Sequence, residues 1–200
     1  MKIRSALSGA AFTVALAAVS VTHAQTAPAP VTHGAAIPGM CILSVNQAIT
    51  TSTVGKYVSD RMNQIVAQVK AELTPEDTAI ATDGRALEAQ RTTLGAETFQ
   101  TRAQALQARV NALRQKADLR QREVQATEQK SLNRIAQELD PIARQLYQQH
   151  RCSVLVNKDA VMIANPEMDL TTQAVAGLNA RIQQFAFDRE HLDTAQPTTR

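Results

Sequence analysis

Tryptophan is absent from this chain, and aromatic residues make up only 3% of its 200 positions. A single globular core of that length normally buries more large side chains, so a conventional globular domain is disfavoured. Catalytic signatures are missing as well: there is no C-x-x-C, H-E-x-x-H or G-x-S-x-G pattern and no glycine-rich phosphate loop. The histidines stand apart: His23 and His33 near the start, His191 near the end, and His150 at an expected helix end, where the dipole is a better partner than a metal. These absences predict a protein that is not an enzyme and that uses neither metal nor cofactor. No uninterrupted apolar run reaches the ~20 residues of a membrane-crossing helix. Nor is there a strong charge excess, with 21 Lys and Arg against 18 Asp and Glu.

What is present points to elongation. Apolar residues reach 44%, much of it Ala, and Gln, Arg, Glu and Leu recur at helical spacing, a composition of long helices. The first 24 residues read separately. A basic "MKIR" precedes the apolar "ALSGAAFTVALAAVSV", and Thr22 and Ala24 offer small residues before a cut at Gln25. That pattern predicts a secretory signal peptide over 1–24 and export to the periplasm. Its removal deletes Lys2 and Arg4, leaving a net charge of about +1. Residues 25–39, "QTAPAPVTHGAAIPG", read as a flexible linker.

Beyond the linker, "MCILSV" predicts a first strand over Cys41–Val45. Val58, Met62, Ile65, Val69 and Leu73 then mark one face of a helix. Val66, Leu73, Ile80, Leu87 and Leu94 keep a spacing of seven, but Asp77, Gly84 and Arg91 occupy the companion seam positions, so this arm should be helical and poorly zipped. "LTPED" predicts a break or kink at Thr74–Pro75 with an immediate restart, and Gly95 should end the outgoing helix, placing the tip at about 92–99. Leu106, Val110, Leu113, Ala117 and Val124 carry the return; Leu132, Ile135, Leu139, Ile142 and Leu146 continue it after a one-residue slip, with Pro141 expected to bend it. The arm as a whole spans 54–149.

"CSVLVN" and "AVMIA", separated by "NKD", predict a β-hairpin of strands two and three. A last helix follows, capped at Asp169 or Thr171 and running to about Ile182, with 186–200 a frayed tail. A helical hairpin returning to its origin would close a three-stranded sheet from strand one and this hairpin, so residues 40–53 and 150–185 form one small β-rich body. Such a sheet leaves edges unpaired, and copies arranged about an axis would cover them. The fold class is therefore α+β: a long antiparallel, coiled-coil-like arm on a small β-sheet body that oligomerises, with Leu43, Val45, Val154, Val156, Val161 and Ile163 as body residues.

The stretch "RCSVLVNKDAVMIANPEMDLTTQAVAGLN" resembles the end of the Skp/OmpH family of periplasmic chaperones, and "VNQAI" with the following "VGK" fits that family's start. The resemblance covers roughly residues 40–182 and is most specific in its final thirty. It implies a homotrimer, jellyfish-like, whose arms enclose a cavity for unfolded outer-membrane proteins: a holdase working without ATP. Pro75, Gly84, Pro141, two cysteines and the modest charge depart from the family pattern. The resemblance also links the chain to lipopolysaccharide, so peripheral contact with it or with a membrane is an expectation, but no motif here places such a site.

Between Arg91 and Arg122 lie seven bases (Arg91, Arg102, Arg109, Arg114, Lys116, Arg120 and Arg122) and two acids. Under the chaperone reading they are candidates for attracting acidic clients; a merely solvated helix face is the alternative. Cys41 and Cys152 open the two expected strands, leaving either a disulfide or two small buried hydrophobes. The rival to the chaperone is a periplasmic adaptor whose hairpin docks partner helices, which would require a more continuous seam. Nucleic acid is excluded by export and by the lack of stacking aromatics in the basic stretch other than Phe99.

Overall fold

The computed structural model describes residues 31–192, so the expected signal peptide, residues 25–30 of the linker and residues 193–200 of the expected frayed tail lie outside the described residues. Strand β1 covers Met40–Leu43 and ends because Ser44 caps helix α1 (Val45–Thr51), its Oγ accepting from the Gln47 amide at 3.1 Å. Val45, expected to finish the strand, is instead the first helical residue. Ser52 repeats the device for α2 (Thr53–Ala89), accepting from the Gly55 amide at 3.1 Å. Gly55 is needed at this corner, since a Cβ there would collide with the Ile49 carbonyl oxygen.

Helix α2 and helix α3 (Ala96–Gln149) form the arm, joined by a tip at residues 90–95. At 1.5 Å per residue they extend about 55 and 80 Å. Of the break or kink expected at Thr74–Pro75, the break does not occur: α2 is one helix through Pro75, and α3 is one helix through Pro141. Both prolines sit on exposed faces, so the acceptors they strand are on a solvent side, and the Thr74 hydroxyl donates to the Lys70 carbonyl at 2.7 Å. Gly95 does not end the outgoing helix but occupies the cap position of the returning one.

Strand β2 (Val154–Asn157) pairs with β1 in parallel, Met40 opposite Val154 and Leu43 opposite Asn157. A parallel pair needs a long crossover, and the whole helical hairpin supplies it. The expected third strand is absent: the sheet has two strands among the described residues. Asn157 Oδ1 accepts from the Asp159 amide and starts a 3₁₀ turn at Lys158–Ala160 instead of a hairpin. After it the chain passes to the free side of β1, where Leu170 N donates to Ile42 O at 2.8 Å. The outer edge of β2 meets no strand, and in this chain Met162 is fully exposed and Ile163 69% exposed.

Helix α4 (Thr171–Arg181) begins with Asp169 Oδ1 accepting from Thr171 N at 2.8 Å. It packs on α3 closely enough that a Cβ at Gly177 would press on Ile142. The core lies at the base of the arm, where Leu43, Ile49 and Val54 meet Ile135, Leu139 and Leu178. Cys41 and Cys152 are joined by a disulfide with Cα atoms 5.8 Å apart. Cys152 precedes β2 rather than opening it, on a corner where Arg151 takes φ 51°; the bond therefore avoids the awkward geometry of directly adjacent strands.

Residues 183–192, whose later part was expected to fray, instead lie along the arm without regular secondary structure. Phe185 and Phe187 pack against the core, and Phe187 meets Tyr57 edge-on at 6.4 Å between centroids. The apolar rings hold the segment down.

Candidate functional site

With no catalytic constellation expected, the surfaces that matter are the two faces of the arm. On one face the hairpin is joined by charge. Arg109 pairs with Glu76 at 3.0 Å and Asp83 at 2.5 Å, and Arg102 donates to the Gln90 side chain at 3.0 Å. Nearer the base, Glu72 receives Lys116 at 3.2 Å, Arg120 at 2.8 Å and Arg189 at 3.0 Å. Arg120 and Arg189 also meet Glu123, whose side chain is 2% exposed. The Arg120 guanidinium foremost, aided by Arg189 and Lys116 against the cost of burial, holds the Glu72 carboxyl at about 2.

The seven expected client-facing bases thus divide. Arg109, Lys116 and Arg120 are committed to carboxylates across the hairpin. Arg91 pairs with Glu88 and lies over the Phe99 ring at the tip. Arg102, Arg114 and Arg122 are exposed and make no ion pair among the described residues, Arg102 alone of these being held by a side chain, that of Gln90. Ion pairs therefore supply part of the adhesion that the thin apolar seam lacks.

Sequence reasoning missed Glu123, Thr127 and Ser131, all buried on α3. They continue the spacing of four that Ile135 and Leu139 begin, whereas Leu132, expected in the seam, is 38% exposed. The signal was a polar stripe in phase with the core. Its partners were hidden because they come from residues 189–192: Glu190 N donates to Thr127 Oγ1 at 2.8 Å and Leu192 N to Glu123 Oε1 at 3.2 Å.

On the other face, Val66, Val69 and Leu73 of α2 and Leu113, Ala117 and Val124 of α3 line an open groove of about 670 Å³. Its walls are mostly apolar, with Lys70, Asp77, Gln121 and Gln125 at the margins. The body residues separate too: Leu43 is buried within the chain, Val156 and Val161 are half-buried, and Val45, Val154 and Ile163 are exposed.

Residues 39–178 match the family described as outer membrane protein (OmpH-like). Among solved structures, the chain is similar to a candidate OmpH-like outer membrane chaperone from Caulobacter crescentus CB15, determined by crystallography at 2.83 Å. The two share 49% identity with a TM-score of 0.73, the match covering 82% of this chain and 97% of the other. No curated protein matches the chain.

Proposed function

Because the chain belongs to the OmpH-like family of outer membrane proteins, we propose that it is a periplasmic holdase that shelters unfolded outer-membrane proteins without ATP. The observation that carries the reading is the open, mostly apolar groove along the arm, bounded by Val66, Leu73, Leu113 and Val124. A groove of small and medium side chains offers weak contacts that any partly apolar chain can make and leave. Release then needs no energy source, and capture needs no catalytic group.

The base supports association of copies, with a trimer as the form the family resemblance implies. Val154, Met162 and Ile163 are more than half exposed in the isolated chain beside an unpaired β2 edge, and association would cover apolar surface and strand edge together. Arms projecting from such a hub would enclose the space in which clients are held. Arg114 and Arg122, free of ion pairs among the described residues, are the best placed of the seven bases to attract acidic clients at a distance. The adaptor alternative is less well supported, since a docking hairpin needs an apolar stripe longer than this groove.

The test is aggregation suppression. An outer-membrane protein diluted from urea should stay soluble in the presence of this protein, and the complex should have the mass of several copies with one client. Turbidity that rises as fast with the protein as without it would end the reading.

A further inference from the structure

The segment 183–192 is an extended peptide seated on a prepared surface. Phe185 and Phe187, two apart, turn toward the core together, with ring centroids 5.4 Å from one another. Arg61 donates to the Phe187 carbonyl at 3.4 Å and pairs with Asp188 at 2.5 Å, while Glu72 and Glu123 receive Arg189. Thr127 and Glu123 accept the backbone amides of Glu190 and Leu192. Recognition of backbone amides does not depend on the identity of the bound residue. A groove of about 740 Å³ continues beside the segment along α3, past Asn133, Arg134 and Gln137.

The occupant fits imperfectly. Arg189 Nε is buried and finds no hydrogen bond, although Glu123 Oε2 lies 3.2 Å away, and a buried donor left unmade is costly. Asp188 and Lys130 make their pairs while 87% and 71% exposed, where ion pairs contribute little. The segment covers the polar stripe of Glu123 and Thr127, and its own fit there is improvable.

We infer that this berth is a binding site for an extended peptide with aromatic residues at alternate positions followed by an acid and a base, and that the chain's own C-terminal segment occupies it at rest. Lipid-facing side chains of membrane-barrel strands stand at alternate positions, as Phe185 and Phe187 do about the small Ala186, so the partner is an unfolded client strand. In that identification the inference rests on the chaperone reading; the berth itself does not. Self-occupancy lowers the apparent affinity for an outside peptide by the fraction of time the berth is filled.

The test uses the full chain and a labelled peptide of residues 183–192 added in trans. A Phe185→Ala, Phe187→Ala, Arg189→Ala variant should bind the peptide at least about tenfold more tightly than the unaltered protein. A peptide with both Phe replaced by Ser should not bind. A variant that keeps its circular dichroism and its disulfide yet takes no peptide overturns the site, as does equal binding by both proteins. Should the triple variant unfold, Arg189→Gln, which keeps both rings, decides in the same way. Peptide binding without aggregation suppression would leave the berth standing and remove the chaperone reading; suppression without peptide binding would do the reverse.

Discussion

Arg189 stands 117 residues from Glu72 in sequence, yet its Nη1 donates to Glu72 Oε2 at 3.0 Å. Through that contact a segment with no regular structure reaches the middle of a long helix. Glu123, beside the pair, is almost wholly buried and faces both Arg120 and Arg189. Arg120 and Arg189 both keep Glu72 as a partner, so Glu123→Ala should destabilise the protein by about 1–3 kcal/mol, the usual cost of hydrogen bonds lost at a buried site. Urea unfolding monitored by circular dichroism reads this directly.

Acid should loosen the same region. Glu72 titrates at about 2 in the folded chain against an ordinary 4.5. A depressed carboxylate contributes stability that is complete above the ordinary value and is lost as pH falls through the folded one. The window is thus from about 4.5 down to about 2. Thermal midpoints across that range should fall for the unaltered protein and fall less steeply for Glu72→Gln, while the two should run parallel near neutrality.

Reduction should weaken the base of the arm. The Cys41–Cys152 bond closes a separation of 111 residues, and in the chain-entropy model such a loop contributes about 4–5 kcal/mol. A Cys41→Ala, Cys152→Ala variant should unfold at clearly lower urea concentration. Dithiothreitol should reproduce the shift in the unaltered protein and leave the variant unchanged.

Charge reversal should separate capture from folding. Arg114→Glu with Arg122→Glu removes bases without ion pairs among the described residues, so unfolding should be nearly unaffected while client capture slows and loses its salt dependence. Arg120→Glu, by contrast, sets three carboxylates together and should lower stability first. Stopped-flow capture at two salt concentrations, beside urea unfolding, distinguishes the pair. Unchanged capture in the first variant would remove the electrostatic role.

Association can be examined at Ile163, which is 69% exposed in the isolated chain. Ile163→Asp should leave the fold of one chain intact but lower the mass of the assembly in native mass spectrometry. If the unaltered protein is itself a folded monomer in dilute solution, the enclosing cavity is lost with it.

The arm was legible because its signal is local. Leu106, Val110 and Leu113 repeat along one helix face whatever else the chain does, and the C-terminal stretch carries its family pattern in consecutive residues. Neither Pro75 nor Pro141 breaks its helix, because exposure on a long helix lets water take the acceptors they strand. The third strand misled because "AVMIA" has strand composition, but composition does not say whether an edge is available to pair with.

Sequence alone determined the helical hairpin, its thin seam and the small body at its foot, since periodicity and capping act between residues a few positions apart. Tertiary structure decided which charges are engaged, that β1 and β2 run parallel, and that 183–192 is docked. Those outcomes depend on groups distant along the chain, such as Arg189 against Glu72 or Cys41 against Cys152. Only the folded path brings them within bonding distance, and no local pattern marks them beforehand.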